Sequence, residues 1–79
     1  MNKTLFKIHM VKNNDTQERL AEDMGIAQSS LSMRISGKID FRQNEINFIR
    51  NRYNLTDQET IDVFFSEEVS EKDTMEKGA

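Results

Sequence analysis

The sequence predicts a small all-α protein, and three observations support this prediction. Proline is absent and glycine occurs at only three of the 79 positions, so few residues interrupt helices. Apolar residues recur at a spacing of four, as in Leu31 and Ile35, which is typical of an amphipathic helix. Strand-like alternation of apolar and polar residues never extends beyond a few positions. One domain of five helices is expected, because 79 residues are too few for two cores.

The first helix is predicted over residues 4–13, because Phe6 and Met10 lie four positions apart and would share a buried face. The turn-forming residues 13–15, Asn-Asn-Asp, should end this helix. His9, the single histidine, falls within it. We interpret it as a surface or partly packed residue without chemistry, because no partner for metal binding or acid–base work accompanies it.

The second helix is predicted from Gln17 to about Met24. Thr16 precedes it as an N-cap, because a threonine hydroxyl can accept a hydrogen bond from the first turn. Gly25 follows it, because glycine adopts the left-handed conformation of a helix C-terminus without strain. These signals favour a tight turn directly after the second helix.

The third helix is predicted from about Ala27 to Ser36, before Gly37. Leu31 and Ile35 would face inward, since they lie one helical turn apart. Two short helices joined by a glycine turn form a helix-turn-helix, and Ala21 would be small because the third helix crosses close to it. The alternative interpretation is a helical hairpin that serves only packing.

The last two helices are predicted from their N-terminal signals. Phe41 and Ile46 match a hydrophobic staple around Arg42 as the cap position, with Glu45 at the third helical position. Residues 56–59, Thr-Asp-Gln-Glu, form a capping box for the fifth helix. The apolar contacts expected from these two helices involve Ile46, Ile49, Tyr53, Ile61, Phe64 and Phe65.

Charge is divided unevenly along the chain. Residues 1–54 contain nine Lys and Arg against six Asp and Glu, a net +3, whereas residues 55–79 contain two against eight, a net −6. We predict a folded domain over residues 1–65 and a disordered acidic tail over residues 66–79, where only Val69 and Met75 are apolar enough to bury. A mildly basic body hints at contact with a polyanion, and solubility is the alternative explanation.

Several classes of function are made improbable by composition. Cysteine is absent, which excludes disulfides, thiolate zinc sites and thiol catalysis, and a single histidine excludes a multi-histidine metal site. No stretch approaches the ~20 apolar residues of a membrane span, and the N-terminus lacks a secretory apolar run. We therefore expect a soluble cytoplasmic protein that is not an enzyme and binds no cofactor.

The side of the third helix that faces away from Leu31 and Ile35 is the most informative surface. It would carry Gln28, Ser29, Ser32 and Met33, and the chain has no acidic residue between Asp23 and Asp40. Short polar side chains without negative charge suit a surface that enters a major groove and meets base edges.

Residues 16–32, TQERLAEDMGIAQSSLS, followed by Gly37-Lys38, resemble the helix-turn-helix of the phage repressor/Cro-type proteins, often called the XRE family. Residues 55–65 resemble, more narrowly, small Cro-like regulators of temperate phages. The resemblance covers residues 4–65 and implies a compact five-helix lambda-repressor-like domain. By this resemblance the domain would bind operator DNA as a homodimer, and we hypothesise that it does so through its third helix and represses by occluding a promoter. Two residues depart from the family pattern: Ala27 replaces a capping Ser or Thr, and Arg34 replaces an apolar residue.

The resemblance also implies roles for individual residues. Gln28 is the best candidate for a base contact, and the base-contacting group as a whole is Gln28, Ser29, Ser32 and Met33. The candidates for phosphate contacts are Gln17, Ser30, Arg34, Lys38 and Arg42. We interpret Arg50 and Arg52 as surface or interface residues.

Phe64 and Phe65 are predicted to form the dimer interface, because adjacent residues on a helix point in different directions, so that one can enter the core and the other stays on the surface unless a partner covers it. The rival interpretation is that both pack onto that core. The alternative function is a protein-binding modulator, an antirepressor or co-repressor that acts on another phage repressor through the exposed Phe and the acidic tail. In either case the protein would work in the cytoplasm of a bacterial host, near its nucleoid.

Overall fold

A computed structural model of the chain describes residues 1–66, and this part consists of five α-helices without a strand. The helices are α1 Lys3–Lys12, α2 Gln17–Met24, α3 Gln28–Ile35, α4 Gln43–Tyr53 and α5 Asp57–Phe64. The all-α class and the five helices predicted from the sequence are thereby confirmed. The disorder predicted for residues 66–79 concerns residues that lie, apart from Ser66, outside the described ones.

The five helices meet in one apolar core, and each contributes one fully buried side chain. These side chains are Phe6, Leu20, Leu31, Ile49 and Val63, in the order of the helices. The Phe6 ring lies at the centre of an aromatic group, with its centroid 6.0–6.4 Å from the rings of Phe41, Tyr53 and Phe64. Such aromatic contacts stabilise a core beyond the apolar area that they bury.

Ile61 does not join this core, contrary to the expectation from the sequence. Thr60 and Val63 are the buried residues of α5, and Ile61 is exposed. The reason is geometric, because successive residues of a helix are rotated by about 100° and Thr60 already occupies the inward position. The Thr60 hydroxyl donates to the Thr56 carbonyl oxygen at 2.9 Å, which satisfies this polar group in its buried position.

The predicted helix ends are found where the capping residues indicated them. Thr16 Oγ1 accepts from the Arg19 N–H at 3.1 Å, and Gly25 has the positive φ of 75° that the turn after α2 requires. Thr56 and Glu59 form the predicted capping box, with reciprocal bonds of 3.1 and 2.9 Å. The α1 helix has a cap that we had not predicted, since Asn2 Oδ1 accepts from the Leu5 N–H.

An ion pair network holds the α1–α2 turn against the end of α4. The Asp15 carboxylate, whose side chain is only 4 % exposed, accepts two bonds from Arg52, at 2.8 and 3.0 Å. The Tyr53 hydroxyl donates to the same carboxylate at 2.5 Å. Arg52 also reaches Asp23 of α2. Arg52, expected to be a surface or interface residue, therefore connects three parts of the fold.

Hydrogen bonds from Arg52 lower the pKa of Asp15 to about 2, since they outweigh the opposing effect of burial, and Tyr53 and the Thr16 N–H assist. A carboxylate with a depressed folded-state pKa stabilises the fold above its ordinary pKa of about 4, and this contribution disappears as the pH falls toward 2. The network thus gives the fold a defined sensitivity to acid.

Within residues 1–66, no helix combines the length and the apolar character that crossing a bilayer requires.

We predict that Asp15→Asn lowers the free energy of unfolding near neutral pH by about 2 kcal/mol, because the amide cannot replace a paired carboxylate. Urea unfolding at several pH values measures this effect. Between pH 4 and 2 the wild-type protein should lose stability more steeply than the variant.

Asp57→Asn is the matched control, because Asp57 pairs with Arg50 in an exposed position and should contribute less than ~1 kcal/mol. Identical pH profiles of the wild type and Asp15→Asn would contradict the role of the network.

Candidate nucleic-acid interface

The α2–α3 pair is built around a tight turn. Gly25 N–H donates to the Glu22 carbonyl oxygen and Ile26 N–H to that of Ala21, so both of these N–H groups are paired within the turn. Ala21 is buried, as predicted, where a larger side chain would separate the helices. The turn therefore fixes the orientation of α3 on α2.

The two sides of α3 differ completely in their surroundings. Leu31 and Ile35 are buried in the core. Four other residues of α3 are exposed to solvent, namely Gln28, Ser29, Ser32 and Met33. Their predicted exposure is thus confirmed, whereas their contact with bases stays a prediction. The structure brings these four side chains together on one bare surface, which we call the α3 outer face.

The beginning of α3 lacks the side-chain cap that most helices carry. Ala27 has the extended backbone of an N-cap residue but offers no oxygen to the first N–H groups of the helix. The positive end of the helix dipole is therefore not neutralised by a side chain, and the first turn contains no acidic residue. An anion approaching this end of α3 meets N–H donors and no acidic residue in the first turn of the helix.

The candidates for phosphate contacts differ in their exposure to solvent. Lys38 and Arg42 are exposed in the segment between α3 and α4, whereas Gln17 at the start of α2 and Ser30 on α3 are half-buried. Among the described residues neither Lys38 nor Arg42 forms a salt bridge, although Arg42 lies close enough to Glu45 to lower the pKa of that carboxyl. Both cations are thus exposed to an approaching ligand.

Arg34 is placed differently from the other phosphate candidates. Its guanidinium donates to Glu45 Oε1 and to the Ser30 carbonyl oxygen, both at 3.1 Å, and only 12 % of its side chain is exposed. It ties α3 to the first turn of α4. A phosphate contact by Arg34 stays a prediction. It would have to be made by a guanidinium that already donates to two partners within the domain.

Glu45 has a second structural role that the sequence did not reveal. Its carboxylate accepts from the Arg42 N–H at 2.8 Å, as predicted for a helix cap, and also from Arg34. Burial raises the pKa of Glu45, but the bonds from Arg42 and Arg34 outweigh it and leave the pKa below its usual range. Glu45 is therefore ionised at neutral pH and holds α3 and α4 together. Only the spacing of Arg34 and Glu45 across a predicted loop could have indicated this pair.

The geometry offers no obvious place for a metal ion within residues 1–66, where no three His, Asp or Glu side chains converge. His9, interpreted as a residue without chemistry, is buried on α1.

Comparison of the chain with protein-family models, with curated proteins and with solved structures gives no match in any of the three. The fold and the site therefore define the protein in structural terms only. It is a small five-helix protein in which the exposed face of α3 is polar and carries no acidic residue.

Proposed function

We propose that the protein is a sequence-specific DNA-binding transcriptional regulator, of the Cro-like type that the sequence resembles. In this proposal α2 and α3 are the helix-turn-helix of a lambda-repressor-like domain, and α3 enters the major groove. One observation supports it above all: Leu31 and Ile35 anchor α3 in the core, while four exposed residues of the helix, Gln28, Ser29, Ser32 and Met33, carry only amide, hydroxyl and thioether groups. A helix presenting such groups matches what base edges offer in the major groove.

The chemistry of the α3 outer face supports direct reading of bases. The Gln28 amide can both donate and accept, which allows a bidentate contact with N6 and N7 of an adenine. Ser29 and Ser32 can bond base edges or bridging water, and Met33 can pack on a thymine methyl group. The eight residues of α3 extend over about 12 Å, which is comparable to the width of the major groove.

Phosphate contacts would orient the domain on the duplex. Lys38 and Arg42 are the exposed cations on this side, with Gln17 and Ser30 as neutral donors and Arg34 as an additional candidate. Because each phosphate contact made by a cation releases counterions, binding should weaken as salt rises. A small number of free cations implies a modest salt dependence.

The surface around Phe65 supports a homodimer as the binding form. Phe64 packs edge-on against Phe41, with centroids 5.3 Å apart, and so belongs largely to the core. Phe65 is 63 % exposed beside a groove of about 350 Å³ that Met1 and Ile39 also line. Two copies joined through this surface would present two α3 helices to successive major grooves, ~34 Å apart, on a near-palindromic operator.

We predict that Gln28→Ala weakens binding to a selected duplex by about 5- to 150-fold, which corresponds to the ~1–3 kcal/mol of a bidentate base contact. A duplex obtained by in vitro selection from random sequences serves as the probe, and mobility-shift titrations at several salt concentrations measure the affinity.

Gln58→Ala is the matched control, because Gln58 is an exposed amide in the first turn of a different helix. Failure of selection to enrich any sequence, or equal affinities of the two variants, would count against the proposal.

We predict that Phe65→Ala shifts the protein from dimer to monomer in sedimentation, because it removes the exposed aromatic of the proposed interface. Phe64→Ala should instead act mainly on stability, by up to the ~3–5 kcal/mol of a core Phe deletion. An unchanged sedimenting mass in wild type and Phe65→Ala would exclude the interface.

The second candidate function is a modulator that binds another phage repressor, and one observation favours it. Arg34, Arg50 and Arg52 are all paired with carboxylates, which leaves little positive charge for phosphates. Capture of a phage repressor by the immobilised protein, together with absence of any sequence-specific mobility shift, would favour this function over DNA binding.

A further inference from the structure

The outer face of α1 is an apolar surface that the proposed function does not use. Thr4, Lys7, Ile8, Val11 and Lys12 line a surface groove of about 360 Å³ along this helix. Val11 is 74 % exposed and Ile8 45 %, although both are large apolar residues. An exposed pair of this kind, in a domain with few residues to bury, indicates a surface that another segment covers.

The charged residues that line this groove are both positive. Lys7 and Lys12 border the groove, Lys3 lies one turn before Lys7, and residues 1–14 contain no acidic residue. None of the three lysines forms a salt bridge within residues 1–66, although Glu59 lies close enough to Lys12 to feel its charge. A segment that covers the α1 outer face should therefore be acidic and should contain an apolar residue.

A second copy of the same face does not meet this requirement. Two α1 helices packed through Ile8 and Val11 would bring the lysines of one copy close to those of the other. Like charges at such an interface oppose association. The charge pattern therefore disfavours self-association through α1 and favours an acidic occupant.

Residues 67–79 of the same chain have the required composition. They contain five Asp and Glu against two Lys, a net −3, and include the apolar residues Val69 and Met75. The described chain ends beside the start of α1, because the Asn2 N–H donates to the Val63 carbonyl oxygen at 2.7 Å. From Ser66, the last described residue, to Met75 an extended chain spans up to about 30 Å, and α1 is about 15 Å long, so the segment can reach Ile8 and Val11.

We propose that residues 67–79 dock on the α1 outer face of their own chain. An apolar residue of the segment covers Ile8 and Val11, and its carboxylates lie close to Lys7 and Lys12. This contact is independent of DNA binding, since it involves neither the α3 outer face nor the surface around Phe65.

The absence of cysteine from the chain allows a direct test. Ser70→Cys in the full-length protein provides a single site for a nitroxide spin label, and paramagnetic broadening of backbone amides then maps its surroundings. The largest loss of intensity is expected at Lys7, Ile8, Val11 and Lys12. Adding the charge reversals Lys7→Glu and Lys12→Glu should abolish this loss, whereas Lys38→Glu, an exposed cation outside α1, should leave it unchanged.

A mixed sample distinguishes docking within one chain from docking between chains. It combines protein that carries the spin label but no isotope label with protein that carries the isotope label but no spin label. Absence of broadening in this mixture is expected for docking within one chain. Broadening in the mixture, broadening centred on Lys38 or on the groove beside Phe65, or broadening that persists after charge reversal on α1 would each overturn the proposal.

Discussion

The burial of Leu31 and Ile35 decides which side of α3 meets solvent, and the proposed function depends on this constraint. Both side chains are inserted into the core, so the helix cannot rotate about its axis without exposing them. Burying two such side chains stabilises the helix position by roughly 1.5–3 kcal/mol each. The polar residues on the opposite side are therefore held outward by the packing behind them.

Two further interactions hold the position of α3. Gly25 sets the turn from α2, and the Arg34–Glu45 pair connects α3 to the beginning of α4. Glu45 also caps α4, so one carboxylate fixes the end of one helix and the side of another. In the proposed function such rigidity favours binding, because less ordering remains when the surface meets a groove.

The sequence predicted the local features of this fold well and the distant ones poorly. Thr16, Gly25 and the capping box at residues 56–59 marked helix ends because capping acts between residues three or four positions apart. The Asp15–Arg52 pair joins residues 37 positions apart, and no local pattern contains that information. For the candidate site, the helical period predicted the exposure of the α3 outer face, whereas it did not show that Arg34 is held by Glu45. Ile61 was misplaced because the pattern of α5 did not show that Thr60 occupies the inward position.

The most direct measurement is a magnetic-resonance titration of the isotope-labelled protein with a duplex obtained by selection. The account predicts that the side-chain amide of Gln28 and the backbone amides of Ser29 and Ser32 shift as the duplex is added, and that resonances of Ile8 on α1 stay in place. The claim that this helix reads DNA would be contradicted if the duplex saturated the protein while only residues away from α3 shifted. It would also be contradicted if no duplex shifted any resonance.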